Sequence, residues 1–340
     1  MRPLIRFCSL CLLFAWPAAR SSVRQDPGSA QGADVFRVNV RVVLVDAQVI
    51  NKKTHEIVST LKKDDLEIYE DGVQQQISSF SQDELPMSVV LLFDLTDSVR
   101  PVLKPLAAGA LAALQHFKPQ DEVAVMVYAA SAHMIQDFTT DRALAVAAVE
   151  KASRMDSGEA AFFNEAIYQA SGQLSRANPQ GRRVIIWLTD DVPNIPSDEI
   201  KARYGRSLSG VPLHTEKEAM KELFHSGVVV CTLLKRSELS VQEDTLHDSS
   251  KIVGRMLYPP GEVYKYARAT GGHVVESSTK KLPGKLAQLI DDIRLRYSLG
   301  YHPSVARPAG RFCSIKVKLS PEARKAQKNL EIEAKQGYYR

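Results

Sequence analysis

Apolar positions change period twice along the chain. From Val35 they alternate with polar ones, at Phe36, Val38, Val40, Val42 and Val45, as in a strand with one buried face. Asn51-Lys52-Lys53 interrupts as a turn. Ile57-Val58, Leu66-Glu67-Ile68-Tyr69 and Gln75-Gln76-Ile77 follow as short strands, with Glu70-Asp71-Gly72 turning between the last two. Such punctuation predicts a small antiparallel β unit. At Met87 the rhythm changes. Ser88-Val89-Val90-Leu91-Leu92-Phe93 is apolar beyond its first residue, the pattern of a strand covered on both faces. Helical spacing over Leu103–Phe117 and a second apolar strand, Val123–Tyr128, come next. A helix capped at Thr140-Asp141 runs through Ala143–Ala152, and another covers Asn164–Leu174. The alternation continues with strands at Val184–Leu188, Val228–Leu234 and His273–Val275, and helices at Glu216–His225, Val263–Ala269 and Leu282–Arg294. A polar insertion occupies Arg236–Pro260. Repeated βα units predict a doubly wound, mostly parallel α/β sheet with helices on both faces.

The last segment returns to β, with Tyr297–Tyr301, Phe312–Leu319 and Leu330–Ala334 reading as strands. The β segments at the two ends hold about three strands each, too few to bury a two-sided core alone. Chain ends often lie close together, so the α/β unit can be inserted between them. The expected layout is a β segment at 35–85, an α/β domain at 86–296, and a second β segment at 297–340 that packs with the first as a small β-sandwich-like domain.

The extreme N-terminus follows another rule. Arg2 and Arg6 precede Phe7–Trp16 (FCSLCLLFAW), apolar apart from Ser9, and Pro17-Ala18-Ala19 follow. A basic start, a short apolar middle and a small-residue end describe a secretory signal peptide at 1–19, cleaved near Ala19. The competing reading is a buried N-terminal helix. No other stretch reaches the roughly 18 apolar residues a membrane-spanning helix needs. Residues 20–34 are small and polar, as in a flexible leader. The expected mature chain is exported, periplasmic or extracellular. Export removes Cys8 and Cys11 and leaves Cys231 and Cys313, each in an apolar strand-like run. In an oxidising compartment that pair can bridge; two separately buried thiols is the simpler reading.

Composition narrows the function classes. A chain of 340 residues suits about two domains, and 44% hydrophobic with 24% charged residues excludes wholesale disorder or a fibre. Four cysteines cannot staple a disulfide-dense miniprotein. The charge of +5, from 44 Lys+Arg against 39 Asp+Glu, comes without a long basic run interleaved with aromatics, so nucleic acid is not expected as a partner. No Cys/His spacing resembles a zinc site.

In open α/β sheets, ligands bind beyond the carboxyl ends of the strands. The first apolar strand runs into Asp94-Leu95-Thr96-Asp97-Ser98, and the strand at Val184 runs into Thr189-Asp190-Asp191. Oxygen donors without Cys or His suit a hard cation such as Mg²⁺. Taken singly, Thr96 or Ser98 also reads as a helix cap and Asp190 as a turn residue. Together they resemble a known pattern. Asp94-Leu95-Thr96-Asp97-Ser98 is similar to the Asp-x-Ser-x-Ser motif of von Willebrand factor type A domains, with Thr in the middle place. Val184–Asp190 (VIIWLTD) is similar to that family's later strand ending in Leu-Thr-Asp-Gly. Asp121-Glu122-Val123-Ala124-Val125 and Phe138-Thr139-Thr140-Asp141 also fall where that fold expects them, and the resemblance spans about Pro86 to Arg296. Leu61–Phe80, Tyr297–Tyr301 and Ile332–Tyr339 resemble the flanks of bacterial secreted VWFA-related proteins.

The resemblance implies a metal-ion-dependent adhesion site, with Asp94, Thr96, Ser98 and Asp190 holding Mg²⁺ (or Mn²⁺ or Ca²⁺) and a carboxylate of a protein or peptide ligand completing the sphere. The family's middle-loop Thr is missing: Glu159-Ala160-Ala161-Phe162 puts Ala161 in its place, and Asp191 replaces the usual Gly. The expected function is that of an exported, non-catalytic binding or adhesion protein. One alternative is a metal-free scaffold of the cell envelope. A secreted hydrolase with Ser98 as nucleophile is disfavoured, because the chain lacks a Gly-x-Ser-x-Gly elbow and a well-placed histidine base.

Overall fold

A computed structural model of the chain describes residues 42–82, 85–156, 161–178, 181–190, 213–235 and 262–340. The expected signal peptide and leader, residues 35–41 of the first expected strand, Asp191 and the insertion at 236–260 lie outside the described residues. The N-terminal strands are β1 (Val43–Asn51), β2 (Leu66–Glu70), β3 (Val73–Gln75) and β4 (Ile77–Gln82). Next come β5 (Met87–Asp94), β6 (Glu122–Tyr128), β7 (Ala132–Thr139), β8 (Arg182–Thr189), β9 (Val229–Lys235) and β10 (Val274–Ser277). The C-terminal strands are β11 (Tyr297–Tyr301), β12 (Phe312–Leu319), β13 (Leu330–Ala334) and β14 (Gly337–Tyr339). The described helices are α1 (Arg100–Ala113), α2 (Arg142–Ala152), α3 (Phe163–Leu174), α4 (Glu216–Ser226), α5 (Glu262–Thr270), α6 (Leu282–Arg294) and α7 (Pro321–Ala326).

β5 to β10 form one sheet in the order β10-β9-β8-β5-β6-β7, parallel except for β7 at one edge. Every residue of β5 is buried, because helices cover both faces. Val89, Leu91 and Phe93 meet α1, α2 and α6, while Val90 and Leu92 meet α3, α4 and α5 around Trp187. Local chemistry sets the helix ends. Asp141 accepts from the Ala143 amide at 2.8 Å to cap α2. Thr215 and Glu218 form a reciprocal capping box at α4, which closes on Gly227 at φ +69°.

The end segments interleave as two four-stranded antiparallel sheets, β13-β1-β11-β4 and β14-β12-β2-β3. Their apolar faces meet in a separate core containing Val45, Val49, Ile68, Leu299, Ile315 and Leu319. The fold class read from the sequence, a doubly wound α/β unit flanked by a sandwich from both chain ends, is the observed one. Two details differ. The first strand faces inward on its odd positions, Val43, Val45, Ala47 and Val49, leaving Val42 46% and Leu44 50% exposed. Of the positions read as one buried face, Val45 lies on it and Val42 does not, since a one-residue slip in alternation reverses the side chain. Helix α7 was not anticipated, although Ser320, whose hydroxyl accepts from the Ala323 amide at 3.3 Å, and Pro321 in the first turn mark its start. Cys231 and Cys313 are buried free thiols on β9 and β12.

Buried arginines join the α/β unit to the sandwich. Arg182, 3% exposed at the start of β8, donates to the carbonyls of Ile293 (2.7 Å) and Arg296 (3.2 Å) and to Ser298 Oγ (3.0 Å). Its Nε lies 3.3 Å from Asp46 Oδ1 on β1, which also accepts from Ser298 Oγ at 2.7 Å. Arg296, fully buried, donates to Gln48 Oε1 (2.8 Å) and the Gly271 carbonyl (2.5 Å). Gly271 sits at φ +73°, and a Cβ there would lie 2.3 Å from the Ala334 carbonyl carbon. Only glycine allows this approach.

Three outcomes follow from this architecture. Ending the chain after Arg296 removes β11, the strand between β1 and β4, so limited proteolysis should cleave within residues 43–82 while the α/β unit resists. Arg182→Met leaves Asp46 without its ion-pair partner and should lower unfolding free energy by roughly 3–5 kcal/mol in a denaturant titration. Asp292 on α6 has its carboxyl raised to about 6, chiefly by burial, with His273 opposing and Asp291 reinforcing. A carboxyl raised in the folded state costs stability once ionised, and that cost disappears as pH falls through 6 toward the unfolded value of 3.8. Asp292→Asn should therefore raise Tm at pH 7.5 and lose that advantage near pH 4.

Candidate metal and ligand site at the carboxyl ends of the strands

Parallel register brings the last residues of the central strands into one row. Asp94 pairs with Tyr128 across β5 and β6, and Phe93 pairs with Leu188 across β5 and β8, so Thr189 lies level with Asp94. Period-two alternation puts the three side chains on the same face as Leu92, Met126 and Trp187. Asp94 is 1% exposed. Its Oδ2 accepts from Tyr128 Oη at 2.8 Å and Thr189 Oγ1 at 2.7 Å, and its Oδ1 accepts from the Thr96 amide at 2.8 Å. Trp187 Nε1 donates to Tyr128 Oη at 2.9 Å, continuing the chain of bonds into the core. Burial pushes the Asp94 carboxyl up, opposed by the hydrogen bonds from Thr189, Thr96 and Tyr128. Burial and the adjacent Asp94 push the Tyr128 phenol well above its ordinary value.

After β5 the chain turns sharply, with the Val99 amide bonding back to the Thr96 carbonyl at 3.0 Å just before α1. This turn sets Thr96 Oγ1 3.0 Å from Ser98 Oγ, and Ser98 Oγ donates to Asp190 Oδ1 at 3.4 Å. The four residues singled out from the sequence therefore lie together: Asp94 buried beneath, Thr96 and Ser98 on one loop, Asp190 half-buried on the next. Asp97 is exposed. Nowhere among the described residues do three His, Cys, Asp or Glu side chains converge. The cluster is thus one of hydroxyls and two carboxylates rather than a crowd of acids.

Ala161 is 2% exposed and packs in the core around Trp187. Glu159 and Ala160 before it lie outside the described residues, and Ala161, at the sequence position where a hydroxyl was expected, carries a methyl group. The chain then enters α3 through a Phe162 amide bond to the Ala129 carbonyl at 3.0 Å. Glu165, in the first turn of α3, accepts from both the amide and Nδ1 of His214, at 2.9 and 2.6 Å, and the His214 ring stacks on Tyr168. Ser98 contacts Thr96 and Asp190, and no imidazole reaches it among the described residues.

Tyr128, Thr189 and Trp187 are the partners that sequence reasoning missed. Their signal was available: Tyr128 and Thr189 are the last residues of apolar strands, and parallel strands of matched length place their final side chains beside Asp94. Asp121, noted for its position in the sequence, works at the opposite end of the sheet. It accepts from the amides of Met87 (2.9 Å) and Lys118 (2.6 Å) and pairs with Arg294, fixing where β5 begins.

The von Willebrand factor type A domain family profile matches residues 89–192, the stretch that carries both loops of this cluster. No curated protein matches the chain. Among solved structures it is similar to a von Willebrand factor type A protein from Catenulispora acidiphila, at 12% identity over 88% of this chain and 75% of that one, with a TM-score of 0.45. It is also similar to an aerotolerance-related membrane protein from Bacteroides fragilis (16% identity, 61% of this chain and 98% of that one, TM-score 0.40). The PilB minor pilin from Streptococcus sanguinis is a further neighbour (12% identity, 63% and 62%, TM-score 0.41). Residues 89–192 are thus a von Willebrand factor type A domain.

Proposed function

We propose that this protein is an exported, non-catalytic binding protein whose carboxyl-end loops hold a protein or peptide partner through a carboxylate, with Mg²⁺ between the two. The observation that carries the reading is the convergence of Thr96, Ser98 and Asp190 over buried Asp94. Type A domains are in general interaction modules rather than enzymes. The donor set is all oxygen, which fits a hard divalent cation that keeps several waters. Thr96, Ser98 and Asp190 would hold the ion directly or through water, and Asp94 would supply charge from beneath. A bound cation would supply a Lewis-acidic point for an incoming carboxylate. The residues themselves orient it: the Thr96–Ser98 contact fixes both hydroxyls, and the Thr189 and Tyr128 bonds lock the Asp94 rotamer.

One observation favours a second reading, a metal-free scaffold. Asp94 already accepts three hydrogen bonds from the protein, and Ala161 contributes no oxygen. A carboxylate so engaged can serve purely to pin β5, β6 and β8 together.

Calorimetric titration of Mg²⁺ and Mn²⁺ separates the two. The metal-binding reading expects millimolar affinity in the native protein, lost in Asp190→Ala and Ser98→Ala, which alter partly exposed positions and leave the Asp94 bonds intact. Ala161→Ser adds an oxygen with the least added volume and should tighten binding about tenfold, the effect of one coordinating contact worth 1–2 kcal/mol. Asp94→Ala is the wrong test, because it breaks the core network as well as the site. No heat of binding in the native protein or in Ala161→Ser would leave the scaffold reading standing.

A further inference from the structure

At the end of the sheet opposite Asp94, a cavity of about 240 Å³ opens between the α/β unit and the sandwich. Asp46, Arg182, Arg183, Thr270, Ser298 and Lys335 contribute its polar lining. Among the described residues of the lining the charges do not balance. Three cations face the space, and Asp46 is the one carboxylate among the described lining residues. Asp46 is already committed to Arg182 and Ser298. Burial alone would raise its carboxyl, yet Arg182, Arg296, Ser298 and Lys335 together hold it below the usual range.

Arg183 gives Nη1 to the Ser226 carbonyl at 2.8 Å, at the C-terminal end of α4, and its Nε is buried with no hydrogen-bond partner. Lys335 is half-buried, and its Nζ lies over the Tyr338 ring, 5.9 Å from the centroid. Burial lowers the Lys335 ammonium to about 8, with Asp46 opposing. Desolvated cations without counter-charges are costly, and proteins resolve that cost by pairing or by losing the proton. Arginine keeps its proton, so here the remaining route is an anion. The Arg183 guanidinium and the Lys335 ammonium suit an ion with several strong acceptor oxygens, whereas the Ser298 and Thr270 hydroxyls already donate to Asp46 and to carbonyls of α5.

We propose that this cavity binds a small tetrahedral oxyanion of the sulfate or phosphate class, held by Arg183 and Lys335 beside the Arg182–Asp46 pair. Such an ion touches β8 of the α/β unit and the β13–β14 connection of the sandwich at once. It therefore ties the two together, and the site is independent of the carboxyl-end loops.

Sulfate is the cleaner probe, because its charge is constant between pH 7.5 and 9.5; phosphate at pH 7.5 is the second. Calorimetry and thermal melting of the full chain should show saturable binding in the low millimolar range, absent with chloride at equal ionic strength. Lys335→Met and Arg183→Lys should each weaken sulfate about tenfold or more, as expected for one charge-assisted bond. Lys335→Met deletes a cation without a hydrogen bond, so folding is retained. Besides Asp46, Arg182 and Arg183, the titratable groups lining the cavity are His225, Tyr338 and Tyr339. The drop in affinity between pH 7.5 and 9.5 reports Lys335 and should be missing in Lys335→Met. A stabilisation by sulfate that is equal in all three proteins is a generic salt effect and overturns the proposal. So does an affinity indistinguishable from that for chloride.

Discussion

The guanidinium of Arg182 is the constraint on which the arrangement of this molecule rests. It begins the central strand β8, is almost wholly removed from water, and spends its donors on three segments: the end of α6, the start of β11, and Asp46 of β1. A buried charge has few satisfactory settings, so its position dictates those of its partners. Both sandwich strands that meet the α/β unit here are held in register by one side chain. Arg296 repeats the device one layer deeper, through Gln48 and the Gly271 carbonyl. Hydrophobic burial makes each core stable. The arginines decide how the cores are placed.

Asp94 plays the corresponding part at the other end of the sheet, with opposite charge and weaker compensation. No cationic side chain approaches it among its described contacts; it is held by two hydroxyls and an amide. Neutral donors relieve only part of the desolvation cost, which is why its carboxyl is raised while that of Asp46 is lowered. The two aspartates differ in what their surroundings leave unmet. Asp46 stands among an excess of cations, and Asp94 stands in a place where added positive charge would be welcome.

The sequence made the fold legible wherever burial imposed a simple period. The apolar run at Ser88–Phe93, helix α6 and strands β11 to β13 were readable to within a residue or two, since their environments demand either continuous or strictly alternating apolar residues. The phase of β1 was not, because Val42 and Leu44 are as apolar as their buried neighbours. At the site, Asp94, Thr96, Ser98 and Asp190 were readable as loop-end oxygens. Their partners Tyr128 and Thr189 were hidden in strands that look purely structural until register is known. The arginine bridges were invisible for a deeper reason. Nothing local distinguishes Arg182 from Arg183, and only the fold brings Asp46 to one of them.

The interleaving of the chain ends also shapes the order of events by which the molecule is made. Asp46 and its partner Ser298 are 252 residues apart in sequence, and β1 pairs with β11 and β13 and with no strand of its own neighbourhood. Until β11 and β13 have emerged, β1 lacks both of its ladder partners, and the sheet facing Val43, Val45 and Val49 lacks β12 and β14. The α/β unit, whose contacts are closer in sequence, can close first, while the N-terminal strands wait as an open, β-rich segment. Assembly therefore runs from the α/β unit outward, and β1 is among the last of the described strands to find its place.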